Sequence, residues 1–257
     1  MDFCADTNYE ILGNGKPVLF LHGWGSDISD FKAVANNVSN FYKTINIDFW
    51  GFGKSSQPSS VWGVSEYANA VLNLINNLQL KDVNLVGHSF GGRVAIKLCS
   101  NYPNLFKSLI LSDSAGIRKK LSFKQQKQVK KFKKLKQEVL LGKKDKTVLD
   151  SFGSSDYKQL DDKMKAIFVK VVNEDLKEDA KQITIPTMLV WGKNDKETPV
   201  GMGKKFNKII KNSRLVILNG GHYCHIENLE QYCDLCMKFW EELWQLIFLI
   251  SVMGILQ

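Results

Sequence analysis

A serine stands at position 89 in the run Gly87-His88-Ser89-Phe90-Gly91. A serine hydroxyl is a poor nucleophile until a base takes its proton. The G-x-S-x-G pattern sets such a serine on a sharp turn between a strand and a helix, with its oxygen clear of the sheet edge. The flanking sequence supplies both elements: Val83–Val86 reads as a strand, and Gly91–Ser100 as a helix ending before Tyr102-Pro103. The base must be a histidine, and the chain offers His22, His88, His222 and His225. His222, in Gly220-Gly221-His222 after the last apolar run, is the candidate. Its imidazole needs an acid to fix the tautomer and stabilise the imidazolium. Asp195, after Thr187–Trp191, is the candidate acid, and Asp113, after Ser108–Leu111, is the alternative. Attack on a carbonyl also needs N–H donors for the oxyanion. The backbone N–H groups of Phe90 and Trp24 are the candidates, with Gly23 and Gly25 letting the Trp24 backbone come close.

The elements that must hold these groups are legible as short apolar runs: Val18–Leu21, Lys43–Asp48, Val83–Val86, Ser108–Leu111, Thr187–Trp191 and Arg214–Leu218. Continuous apolar strands separated by helices predict an α/β fold with a mostly parallel sheet covered on both faces. Val64–Leu78 carries apolar residues at helical spacing, and Thr198-Pro199 reads as an N-cap followed by a first-turn proline. Residues 115–183 lack such a strand. Within them Val129, Phe132, Leu135 and Val139 predict one apolar helix face.

The chain of 257 residues is 44% hydrophobic and 24% charged, ample for a core and unlike a disordered protein. Its net charge of +9 lies wholly in residues 118–181, which hold 19 basic and 10 acidic residues. A solvated basic face is the plain reading; a surface for an anionic substrate or an acidic partner is the functional one. Nucleic acid is not expected, since the basic run has few stacking aromatics. No basic stretch leads into an apolar run at the N-terminus, and the five cysteines are odd in number and scattered, so a reduced, cytoplasmic protein is expected. Cys233 and Cys236, with Cys224 and His225 nearby, read as packed thiols, and no metal or cofactor is expected. Residues 243–257 carry no charge but are short for a membrane span; they read as the end of a packed helix, with a peripheral membrane contact as the lesser reading. Four segments result: core residues 1–114, a helical basic cap 115–183, core residues 184–242, and an apolar tail 243–257.

Taken in order, His22-Gly23-Trp24-Gly25, Asp48-Phe49-Trp50-Gly51-Phe52-Gly53-Lys54-Ser55, Gly87-His88-Ser89-Phe90-Gly91-Gly92, Trp191-Gly192-Lys193-Asn194-Asp195 and Gly221-His222 resemble the α/β-hydrolase superfamily across residues 9–240. The resemblance implies a serine hydrolase using Ser89, His222 and Asp195, with a helical cap inserted after the sixth core strand. It implies cleavage of a small carboxylic ester through an acyl-enzyme. It leaves three alternatives: a carbon–carbon bond hydrolase of diketo acids with Arg118 or a cap lysine holding the carboxylate, an esterase of acyl-carrier-protein esters, and a non-catalytic binding module. The sequence departs from the family at Trp50, where relatives often carry proline. It also departs in the few residues before Val18, which leave the opening antiparallel strands short or absent.

Overall fold

The computed structural model describes residues 7–118, 122–149, 151–152 and 155–252. In chain order the elements are β1 (Tyr9–Leu12), β2 (Pro17–Leu21), α1 (Lys32–Val38), β3 (Lys43–Ile47), α2 (Val64–Asn77), β4 (Val83–His88), α3 (Phe90–Asn101) and β5 (Phe106–Ser112). After these come α4 (Phe123–Leu140), α5 (Ser155–Gln159), α6 (Asp162–Asn173), α7 (Lys177–Lys181), β6 (Thr187–Gly192), α8 (Val200–Ile209), β7 (Ser213–Leu218), α9 (Cys224–Glu227) and α10 (Leu229–Val252). The strands form one sheet in the order β1-β3-β2-β4-β5-β6-β7. Only β1 runs antiparallel, pairing Tyr9 with Ile47 and Leu12 with Thr44 on β3.

The strands are apolar on both sides because both faces are covered. Side chains alternate across a strand, and β2 shows the consequence. Leu19 and Leu21 join the core under α2 and α3, whereas Val18 and Phe20 join the core under α1 and α10. Helix α2 presents Val64, Tyr67, Val71, Leu74 and Ile75 to the first of these, and its Glu66 carboxylate accepts from the Gly63 N–H at 2.6 Å, closing the helix start. All six apolar runs of the sequence become parallel strands, and the opening antiparallel strand is present as a four-residue β1.

Two local expectations change. Thr198 does not cap α8: Pro199 occupies the N-cap position, and the Thr198 hydroxyl is engaged elsewhere. The apolar stripe of α4 does not reach the core: Phe132, Leu135 and Val139 are half-buried, and Val129 is exposed. Seven lysines on α4 keep it at the surface, where Phe132 packs on Phe152 at 5.4 Å between ring centroids. Of the apolar tail, residues 243–252 continue α10, and 253–257 lie outside the described residues. Among the described residues no helix is long and apolar enough to cross a membrane.

Candidate active site

Strand β4 delivers Ser89 to the sheet edge in a backbone conformation that side chains rarely adopt, φ 48° and ψ −106°. Such geometry costs about 1–3 kcal/mol and persists only where surroundings enforce it. Here the Ser89 N–H donates to the Ser112 carbonyl at 3.1 Å, and the Ser89 carbonyl accepts from Ala115 at 3.1 Å. Gly91 completes the turn. A Cβ there would lie 2.0 Å from the Leu21 carbonyl oxygen, so only glycine lets α3 start this close to β2.

The two other candidate members arrive on the loops after β6 and β7. His222 Nδ1 lies 2.9 Å from Asp195 Oδ2. Both Asp195 oxygens are saturated. Oδ1 accepts from the N–H groups of Glu197 (2.8 Å) and Thr198 (2.9 Å), and Oδ2 lies 2.6 Å from the Thr198 hydroxyl. Burial alone would raise the Asp195 pKa, but the hydrogen bonds from His222 and Thr198 outweigh it and hold the carboxyl below the usual range. Burial pushes His222 down, but the hydrogen bond and charge of Asp195, helped by Glu197, leave it raised. His222 Nε2, the nitrogen that would serve a nucleophile, faces Glu197 Oε2 at 3.3 Å. Ser89 Oγ has no hydrogen-bond partner among the described residues; it borders the same cavity as His222.

Asp113, the alternative acid, does not reach His222. Its carboxylate accepts from the N–H groups of Gly192 (2.7 Å) and Cys224 (3.3 Å). Burial pushes its pKa up to about 6 against those two hydrogen bonds, with the Asp195 charge adding to the rise. The acid beside the imidazole is Asp195.

The cavity around Ser89 measures about 380 Å³ and is bordered by Trp24, Phe90, Arg93, Phe168, Val171, Val172, Glu197, His222 and Tyr223, among others. Phe90 opens α3, so its N–H has no partner one turn earlier in the helix. The Trp24 indole packs edge-on against Phe52, Phe90 and Phe168. Helix α6, from the segment between β5 and β6, therefore supplies the wall facing Ser89.

Sequence reasoning missed a buried group beside the turn that carries Ser89. Asp30 Oδ2 accepts from the Gly23 N–H at 2.9 Å and lies 2.9 Å from His88 Nδ1, while Oδ1 lies 3.2 Å from His225 Nε2. One buried carboxylate thus ties the loop carrying Trp24 to the residue before Ser89. Burial would raise Asp30, but the His88 and His225 contacts hold it well below the carboxylate range. Asp30 has no motif around it, and only its spacing seven residues beyond Gly23 hints at a turn that folds back. His22, also buried, accepts from the Phe49 N–H at Nε2 (2.9 Å) and donates from Nδ1 to the Gly23 carbonyl (2.7 Å). Burial lowers its pKa, consistent with a neutral ring. Asp48 accepts from the Ile28 and Lys54 N–H groups at 2.7 and 2.8 Å and braces the turn beyond β3. Of the thiols, Cys99, Cys224, Cys233 and Cys236 are buried and free, and Cys4 lies outside the described residues.

Comparison with known proteins agrees with this architecture. The family model described as the alpha/beta hydrolase fold matches residues 16–155. An AB hydrolase superfamily protein, YisY, from Bacillus subtilis is 26% identical over 255 residues, covering 90% of this chain and 93% of the relative. Lipase 1 from Psychrobacter immobilis is 28% identical over 250 residues, covering 86% of this chain and 75% of the relative. An esterase from Exiguobacterium antarcticum superimposes with a TM-score of 0.72 at 23% identity, covering 91% of this chain and 94% of the other. With its mostly parallel seven-stranded sheet and the matched stretch running from β2 through the turn at Ser89, the chain belongs to the alpha/beta hydrolase fold family.

Proposed function

We propose that the protein is a serine hydrolase that cleaves a carboxylic ester through an acyl-enzyme. The observation that carries this reading is the 2.9 Å contact between His222 Nδ1 and Asp195 Oδ2 at the rim of the cavity that holds the strained Ser89. With Nδ1–H donated to Asp195, Nε2 carries the lone pair that takes the Ser89 proton. Ser89 Oγ then attacks the ester carbonyl, and the N–H groups of Trp24 and Phe90 stabilise the oxyanion. The tetrahedral intermediate collapses, the C–O bond breaks, and His222 returns its proton to the leaving alkoxide. Water, deprotonated by the same Nε2, attacks the acyl-enzyme and releases the acid and free Ser89. For the first step Nε2 must exchange Glu197 for Ser89, the kind of adjustment that substrate binding completes.

The lipase and esterase among the similar proteins support an ester as the bond cleaved. Residues 115–183 are proposed as the cap, a reading supported by Phe168, Val171 and Val172 of α6 lining the cavity that Ser89 borders.

Hydrolysis of p-nitrophenyl esters from acetate to palmitate, by the wild type beside Ser89→Ala, tests this. Turnover that vanishes in the variant is expected, with an optimum at short acyl chains given the small cavity. Wild-type protein as inert as Ser89→Ala on every ester would overturn the ester reading.

A further inference from the structure

Arg93 lies four residues beyond Ser89 on α3, one helical turn away and about 6 Å along the axis. It is 7% exposed and borders the same cavity as Ser89. A guanidinium presents five N–H donors. One of them donates to the Glu174 carbonyl at 2.9 Å. Among the described residues no carboxylate lies within ion-pair distance of this cation. The Glu174 carboxylate is engaged with other groups: Oε1 lies 3.4 Å from Lys97 Nζ, and Oε2 accepts from the Val64 N–H at 3.4 Å. A buried charge without a paired counter-charge is costly, and removing one partner of a buried pair is more destabilising than never having the pair. Burial draws the Arg93 pKa down to about 10, opposed by the charges of Glu174 and Asp175, so the side chain stays cationic at neutral pH.

Among the described residues the cavity wall carries no other permanent cation. The α6 wall is Phe168, Val171 and Val172, and Glu197 stands at the mouth, 69% exposed on its side chain. Arg118 is directed elsewhere: it donates to Asn173 Oδ1 at 3.4 Å and borders a separate cavity with Pro199 and Lys205. An anion entering the Ser89 cavity is repelled at the mouth by Glu197 and attracted inward by Arg93.

Resting on the serine-hydrolase reading of this cavity, we propose that Arg93 binds a carboxylate carried by the acyl portion of the substrate, which makes the substrate class a half ester of a short dicarboxylic acid. The placement suits it. Residues four apart share one helix face, and both Ser89 and Arg93 line the one cavity, so a carboxylate on a short acyl chain attached at Ser89 is within the cavity that Arg93 borders. The planar fork of arginine matches a carboxylate through two parallel N–H···O bonds.

Two probes differing in one charge test this: monophenyl adipate, and its neutral phenyl methyl diester. Phenol release by the wild type is measured for both, and binding of both to Ser89→Ala is measured by calorimetry. The expected wild-type preference for the charged probe in kcat/KM is about 10- to 100-fold. Arg93→Met should bring the ratio to about 1, Arg93→Lys should retain part of it, and Arg118→Met should leave it unchanged. A purely structural role for Arg93 would change both rates together and leave the ratio intact. Equal turnover of the two probes by the wild type, with equal binding to Ser89→Ala, overturns the carboxylate site and leaves the hydrolase standing. If neither probe is turned over yet Ser89→Ala binds only the charged one, with that binding lost in Ser89→Ala/Arg93→Met, the carboxylate site stands and the ester reading falls. No turnover and no charge-selective binding overturns both.

Discussion

His88 Nε2 lies 2.8 Å from the backbone carbonyl oxygen of His222, so the residue preceding Ser89 also holds the chain that carries the imidazole. The other ring nitrogen of His88 lies 2.9 Å from Asp30 Oδ2. Ser89 and His222 come from β4 and from the loop after β7, yet a single side chain fixes their separation. His88→Phe keeps an aromatic ring, a larger one, and removes both bonds. It should lower kcat, because the group it displaces is the proposed base. Steady-state kinetics beside a thermal melt separates this from a general loss of fold.

On the proposed mechanism, the raised His222 pKa sets the acid limb of the pH–rate profile. The imidazole must be neutral to accept the Ser89 proton, so kcat/KM for a neutral ester should rise with pH through a midpoint above about 6.5. Asp195→Asn removes the main raising influence. Its midpoint should fall, and turnover should drop by about 10⁴-fold, the scale seen when a triad acid is amidated. The same pair shapes stability. The raised His222 stabilises the fold fully below the unfolded histidine pKa, and that share is lost as pH rises through the folded value. The lowered Asp195 contributes above the unfolded carboxylate pKa, and that share is lost as pH falls through its folded value.

Glu197 gives an independent handle on the same limb. Its carboxylate lies 3.3 Å from His222 Nε2 and favours the protonated ring. Glu197→Gln should move the midpoint to lower pH and raise kcat/KM at pH 6. The effect should shrink in high salt, because Glu197 is mostly exposed. A midpoint that stays put at low ionic strength would show that Glu197 does not influence the base.

Thr198 is a positioning residue. Its hydroxyl lies 2.6 Å from Asp195 Oδ2 and 2.8 Å from the Asp113 carbonyl. Thr198→Val removes the single hydroxyl proton that these two acceptors share, in a buried setting. A loss of about 1–3 kcal/mol in stability is expected, together with a change in the His222 midpoint. Thr198→Ser should rescue both, and urea denaturation with pH–rate profiles would read the two effects.

Asp30 is the group whose loss should damage the fold most. Asp30→Ala strands the Gly23 N–H, His88 and His225 in the interior. Breaking a buried ionic contact costs about 3–5 kcal/mol, so the denaturation midpoint should fall well below that of Ser89→Ala.

The sheet and the three candidate site members were legible in the sequence because each sits where an apolar run meets a glycine or a polar loop. Val83–Val86 before Gly87, Thr187–Trp191 before Gly192 and Arg214–Leu218 before Gly220 each announce a strand end, and a strand end is where this fold exposes chemistry. The supporting residues were not legible. Asp30 acts on His88 across 58 positions, and His88 on His222 across 134, so no local pattern links them. Arg93 hides in a helix otherwise packed with Val94, Ala95, Ile96 and Leu98, and only the fold shows that its side borders the cavity. Thr198 read as a helix cap because threonine before proline has that local meaning, and tertiary contacts with Asp195 and Asp113 overrode it. The stripe on α4 had the right period, but a periodic face says nothing about whether enough partners exist to bury it.

The backbone at Ser89 carries a last consequence. At φ 48° any side chain is a liability, and glycine is the residue that the turn itself would choose. Ser89→Gly should therefore melt higher than the wild type while losing turnover. A lineage of this protein released from the need for catalysis, and selected only for persistence, would be drawn toward glycine at position 89 before any other site residue changed. Under the proposed catalysis, the serine is held for its chemistry against the thermodynamic preference of the chain.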